Sequence, residues 1–312
     1  MGVRHGTDLM AAAVSPLVAG AIAGPATPRR VLGVFATCAY VELGAHDRVL
    51  ALLTADALHL PIGLRLGVPS TAHAWAVEPG DEVVVGAGRV VLPTQEIVAV
   101  RLARPSRVGA ARWTPRSGDA DRLPDPGVLG ELTCDLTTSA LAGRPLAAAL
   151  CGLVGAGHGL TPSGDDALCG VLLALASVDH PDAAWALGRL RAEVRPALGR
   201  TTSLSAALVV AAASGYAVPD VVRLVALLAG AGSTGRNDVA QTGSGAEPGG
   251  SIRPLDPRPG PTAYAIAVER VLAIGHSSGR DLLAGVSGAV LAMAHALDPR
   301  PTTPPSEGAH RA

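Results

Sequence analysis

The sequence predicts an α+β protein, with a small N-terminal β barrel or bent sheet followed by a mostly α-helical domain. Three observations carry this. Between residues 30 and 103, short runs rich in Val, Ile and Leu alternate with Gly, Pro and Asp breakers. From about residue 129 the chain turns into Ala/Leu-rich stretches of helical length. Hydrophobic residues make up 48% of the 312 positions but aromatics only 2%, so the core must be built from Ala, Val and Leu. Such small side chains suit close helix packing.

In chain order, residues 1–29 read as an N-terminal helix and lead-in, because 9-LMAAAVSPLVAGAIAGPA-26 is apolar but broken by Pro16. Strands are expected at 31–43, 49–54, 57–66, 82–86, 89–93 and 97–103, making 30–103 one β-rich domain. Residues 104–128, rich in Arg, Pro, Gly and Asp, form a connector. Helices are expected at 129–151, 164–178, 181–198, 203–214, 218–230, 262–273 and 279–297, with Pro181 and Pro219 at helix starts. This helical domain, 129–297, is interrupted at 231–261 by a Gly/Ser/Pro-rich insertion expected to be disordered and dispensable. The tail 298–312 reads the same way.

A net charge of −1 removes the electrostatic footprint of a nucleic-acid binder. All 25 basic residues are Arg, which excludes a Schiff-base lysine and a Walker-type phosphate lysine. Cys38, Cys134, Cys151 and Cys169 form no C-x-x-C pair, consistent with reduced thiols and a cytoplasmic setting. No uninterrupted apolar run of about 18 residues suggests a membrane span.

One motif occurs twice. In 163-SGDDALCGV-171 and 278-SGRDLLAGV-286, Ser, Gly, Asp, Leu, Gly and Val recur in register, with His158 and His276 upstream. Ser–x–x–Asp before an apolar run is a capping-box-like helix start. Ser163 or Ser278 would cap, and Asp166 or Asp281 would reach back to the cap. Gly170 and Gly285 would let the two helices approach closely. Capping has no use for Gly155, Gly157 and Gly159 at alternate positions, for Asp165, or for Thr161 and Ser277. Free N–H groups at a Gly-rich helix start form an anion site, so the two starts are expected to face each other around one small anionic ligand.

The stretches 153-LVGAGHGLTPSGDDALCGVLLAL-175, 200-RTTSLSAALVVAAASG-215 and 275-GHSSGRDLLAGV-286 resemble the AllH-like family, subunits of a bacterial oxamate carbamoyltransferase. The resemblance covers about residues 10–230 and 262–296. It implies a subunit of a hetero-oligomeric complex that interconverts oxalurate and phosphate with oxamate and carbamoyl phosphate, in allantoin breakdown.

That chemistry needs donors for anionic oxygens and a proton carrier for the leaving nitrogen. The candidate catalytic residues are His158, Asp165 and His276. The candidate substrate-binding residues near the first copy are Gly157, Gly159, Leu160, Thr161, Ser163, Gly164 and Asp166. Arg200, Thr201 and Thr202 join them from the next helix start, and Ser277, Ser278, Gly279, Arg280 and Asp281 from the second copy. Asp166, shared with Asp281, is expected to be structural, and Asp165 functional. Thr201, Thr202 and Ser203 also read as an N-cap cluster. No metal-ligand spacing is present; a divalent metal at Asp165 with His158 or His276 is left open, Mg²⁺ suiting carboxylate and substrate phosphate and His a transition metal. Two other readings remain: a non-catalytic scaffold or regulatory subunit, and a stand-alone metal-dependent enzyme acting on a small amide.

Overall fold

A computed structural model describes residues 8–230 and 261–297. The expected insertion, except its last residue, and the tail lie outside the described residues. An eight-stranded barrel comes first: β1 (Asp8–Val14), β2 (Thr27–Val34), β3 (Cys38–Glu42), β4 (Val49–Leu53), β5 (Gly63–Leu66), β6 (Glu82–Gly86), β7 (Arg89–Val91) and β8 (Gln95–Leu102). The strands close in the order β1-β5-β4-β3-β2-β6-β7-β8. All neighbours are antiparallel except β4 with β5 and β8 with β1. Helix α1 (Pro16–Ala23) starts at a Ser15 N-cap and adds Val18 and Ile22 to the barrel core.

Two differences from expectation have clear causes. Residues 8–14 form a strand, not helix, because β1 pairs with β8 from Asp8 to Val14 and with β5 through Ala12–Val14. An Ala-rich run has weak strand propensity, and ring closure overrides it. The expected strand 31–43 is a hairpin, β2–β3, turning at Phe35–Thr37.

The helices are α2 (Ser117–Ala120), α3 (Gly127–Leu141), α4 (Ala147–Leu153), α5 (Ser163–Ala176), α6 (Pro181–Ala197), α7 (Ser203–Ala213), α8 (Pro219–Leu228), α9 (Pro261–Leu272) and α10 (Ser278–Leu297). The single helix expected at 129–151 is two, α3 and α4. Gly143 sits between them at φ +72°, and Pro145 follows. Helix α5 is central. Every residue from Gly164 to Leu175 is buried, so it has no polar face. Helix α10 packs against α5 and α3. At 20 residues it is long and apolar enough to cross a bilayer, yet 61% of its most apolar window is buried within the protein. Helix α7 joins the two regions. Its Leu204 and Ala207 belong to the barrel core, while Ala206 and Val209 belong to the helical core.

Candidate functional site

The two motif copies meet where α5 crosses α10. A Cβ on Gly170 would lie 2.1 Å from the Leu282 carbonyl oxygen, and one on Gly285 would lie 1.9 Å from that of Ala167. Each helix therefore presses a glycine onto the other's backbone. The correspondence extends upstream. Gly164 packs on the Leu153 carbonyl at the end of α4, and Gly279 on the Val271 carbonyl near the end of α9. The α4–α5 and α9–α10 hairpins are thus built alike, and their starts touch. Thr161 Oγ1 and Ser278 Oγ are 3.0 Å apart.

The loop before α5 gives a structural reason for its glycines. Gly155, Gly157 and Gly159 have φ of +77°, +121° and +88°, which L side chains rarely adopt. Gly155 also abuts the Arg200 carbonyl, and Gly157 lies across the Ser163 amide. The backbone N–H groups are partly used up. Gly164 N–H donates to the Ala156 carbonyl (2.9 Å) and Gly279 N–H to that of Ile274 (3.0 Å). These helix starts offer fewer free donors than the sequence suggests.

The two carboxylates have different surroundings. Asp165 is fully buried. Its Oδ1 accepts from Gly155 N–H (3.0 Å), and its Oδ2 accepts from Ser205 Oγ (2.8 Å) and from the Thr201 hydroxyl. It ties the glycine loop, α5 and the start of α7 together. The capping roles expected of Ser163 and Asp166 are not found. Pro162 holds the N-cap position and no side chain caps the helix, because the backbone N–H groups of Asp165 and Asp166 both close onto the Pro162 carbonyl. Asp166, only 9% exposed, has an Oδ2 with no hydrogen-bond partner among the described residues. Asp165 is saturated by the fold, and Asp166 keeps a free oxygen.

That oxygen belongs to a residue lining a cavity of about 210 Å³ between barrel and helices. Thr161, Asp166 and Ser278 form its polar end. Tyr40 of β3 and Leu58, Leu60 and Pro61 of the β4–β5 connection form the barrel side, and Leu204 and Leu208 of α7 lie across from it. No Arg or His is in its lining. Burial raises the Asp166 carboxyl to a pKa of about 7; the Ser278 and Thr161 hydroxyls offset part of the rise, and the Asp281 and Asp165 carboxyls add to it. Asp281 likewise carries a buried Oδ2 without a partner. Burial, and then the Asp166 and Asp165 carboxyls, push the Cys169 thiol up, which keeps it a neutral wall group. Burial, then Cys38, raises the Tyr40 phenol.

The other candidates are scattered around this point. Leu160 is exposed, and its carbonyl accepts from the Thr202 hydroxyl. Thr202 is the N-cap of α7, bonding Ser205 N–H. Arg200 Nη2 donates to the Cys151 carbonyl (2.8 Å), which ties the turn before α7 to α4 rather than clamping a ligand in the cavity. His158, His276, Ser277 and Arg280 are exposed on the loops or first turn beside the motif helices. The sequence reading missed Tyr40, Ser205 and His46. His46, on the β3–β4 turn, contacts the Thr201 carbonyl (2.8 Å) through Nε2 and the Ser203 hydroxyl (3.2 Å) through Nδ1. Ser205 and His46 bond across 40 residues of chain or more, and Tyr40 only lines the cavity once the fold brings β3 to the helices, so no local spacing announces them. Among the described residues, no group of three or more His, Cys, Asp or Glu comes together as a metal centre.

Residues 153–245 match the model of a family described as oxamate carbamoyltransferase subunit AllH. The match takes in the first motif copy, α5 and α7, and supports an AllH-like assignment. No curated protein and no solved structure matches the chain.

Proposed function

We propose that this AllH-like chain works as one subunit of a carbamoyl-transferring complex, and that its cavity receives the amide end of the substrate. The observation that carries this is the partnerless, buried Oδ2 of Asp166 in an otherwise apolar cavity where the motif copies meet. A buried acceptor without a donor costs about 1–3 kcal/mol, so a ligand supplying that donor binds there favourably. A carbamoyl NH₂ is such a donor, and its carbonyl oxygen accepts from Thr161 or Ser278. A phosphate or carboxylate group would meet Asp166 with no cation in the lining, so the anionic end lies outward, toward the exposed loops with His158, His276 and Arg280.

In this reading Asp166, not Asp165, is the proton carrier. A carboxyl with a pKa of about 7 exists in both forms near neutrality. As hydrogen phosphate attacks the ureido carbonyl of oxalurate, the C–N bond breaks, Asp166 gives its proton to the departing oxamate nitrogen, and the proton released by the phosphate returns to Asp166. Carbamoyl phosphate forms at the carbon. A second reading, a non-catalytic subunit, draws on the exposed Phe35, Leu58 and Leu160 beside the site, which suit contact with another chain.

The test is reconstitution of the complex with its partner subunits and an assay of carbamoyl phosphate formation from oxalurate. Asp166→Asn should lower kcat by about 100-fold or more while assembly, checked by size-exclusion chromatography, is retained. Wild-type turnover in that variant would leave the non-catalytic reading standing.

A further inference from the structure

The far end of α7 carries a pocket of the opposite charge. Arg107, in the segment after the barrel, donates through Nε to the Ser214 carbonyl at 3.1 Å. Arg191 of α6 donates through Nε to the Ala213 carbonyl. Unpaired carbonyls and a charge of roughly −0.5 at a helix C-terminus explain why guanidinium groups gather there. Half a negative charge does not neutralise two whole positive ones. Burial, and then the charge of Arg107, depress the pKa of Arg191, so the two groups feel each other. Anchoring uses Nε in both. Among the described residues, neither guanidinium donates through Nη to a protein atom.

Both arginines line a pocket of about 440 Å³ together with Arg195, and no Asp or Glu is among its lining residues. Arg195 has a distant partner, Asp47, at 3.8 Å. Val194 and Val210 give the pocket apolar walls, and Tyr216, under the Arg107 guanidinium at 5.4 Å, closes one side.

We propose that this pocket is a binding site for a small phosphate-bearing anion, held by the free Nη forks of Arg107 and Arg191 with Arg195 at its rim. Two planar forks need more oxygens than one carboxylate has. A phosphate group offers bidentate pairs to both, with about two negative charges. The concave shape and apolar walls fit a small molecule better than an acidic protein segment. Tyr216 borders both this pocket and the Asp166 cavity, but the arginines line only this one, and Asp166, Thr161 and Ser278 only the other.

Titration calorimetry of the full chain with inorganic phosphate, against chloride of equal ionic strength, tests the proposal. Wild type should bind phosphate, and Arg107→Gln and Arg191→Gln should each weaken it by about tenfold or more. Those variants also lose a helix-end bond, so Ser214→Asp is the companion. It keeps both anchors, is exposed, and places a counter-ion inside the pocket. It should abolish phosphate binding while the circular dichroism spectrum stays that of wild type. An acidic peptide binding more tightly than phosphate, no phosphate binding above the chloride control, or wild-type affinity in Ser214→Asp would each overturn the proposal.

Discussion

Two adjacent aspartates show how burial and partners separate identical side chains. Asp165 has three donors supplied by the fold, while Asp166 has a buried oxygen with none. Asp165→Ala should therefore cost about 1.5–3 kcal/mol or more, because the Gly155 N–H and two hydroxyls lose their charged-group acceptor; urea denaturation measures it. Asp166 behaves oppositely. Its folded pKa, about 7, lies above the ordinary aspartate value of 3.8, so the folded state binds the extra proton between these values. Stability from this group is thus present at low pH and falls as pH rises from about 4 through about 7. Asp166→Asn mimics the neutral acid and removes that dependence. Its melting temperature should equal or exceed that of wild type at pH 8, with the gap closing toward pH 4. A variant less stable than wild type at pH 8 would contradict the assigned environment.

At the scale of the element, the α5–α10 crossing depends on two missing side chains. Gly285→Ala would place a methyl 1.9 Å from the Ala167 carbonyl oxygen, a backbone atom that cannot swing aside. Overpacking of this kind typically costs about 1–3 kcal/mol. It would also spread the helix starts and weaken the 3.0 Å contact between Thr161 and Ser278. The expected result is a lower melting temperature together with lower affinity for amide ligands such as oxamate. By contrast, Gly188→Ala, where an added Cβ meets nothing within 4 Å, should be harmless or slightly stabilising, since Ala favours helix by about 1 kcal/mol over Gly.

For the whole molecule, α7 is the joint. Leu204 is 5% exposed and sits in the barrel core although it belongs to a helix of the other region. Leu204→Ala should cost about 2–5 kcal/mol. If barrel and helices unfold as one unit, far-UV and near-UV circular dichroism transitions should shift together in urea. Separated transitions would show that the two regions fold independently despite the shared helix.

The sequence by itself determined much of this protein. Apolar runs with breakers marked six strand segments, one of which, 31–43, holds the two strands of the β2–β3 hairpin. The repeat at 163–171 and 278–286 marked two helix starts and the glycines at their crossing. These signals are local, set by periodicity and by residues with unusual backbone freedom. Tertiary structure decided the rest. The Ala-rich run at 8–14 became a strand because the barrel needed an eighth edge. The glycines of the 155–159 loop answered a backbone requirement as well as any ligand. Which aspartate was left free depended on Thr201 and Ser205, some 40 residues away, and on a cavity wall supplied by the barrel. Hydrogen-bond saturation and desolvation are sums over everything that packs around a group, and no local spacing in a sequence contains those sums.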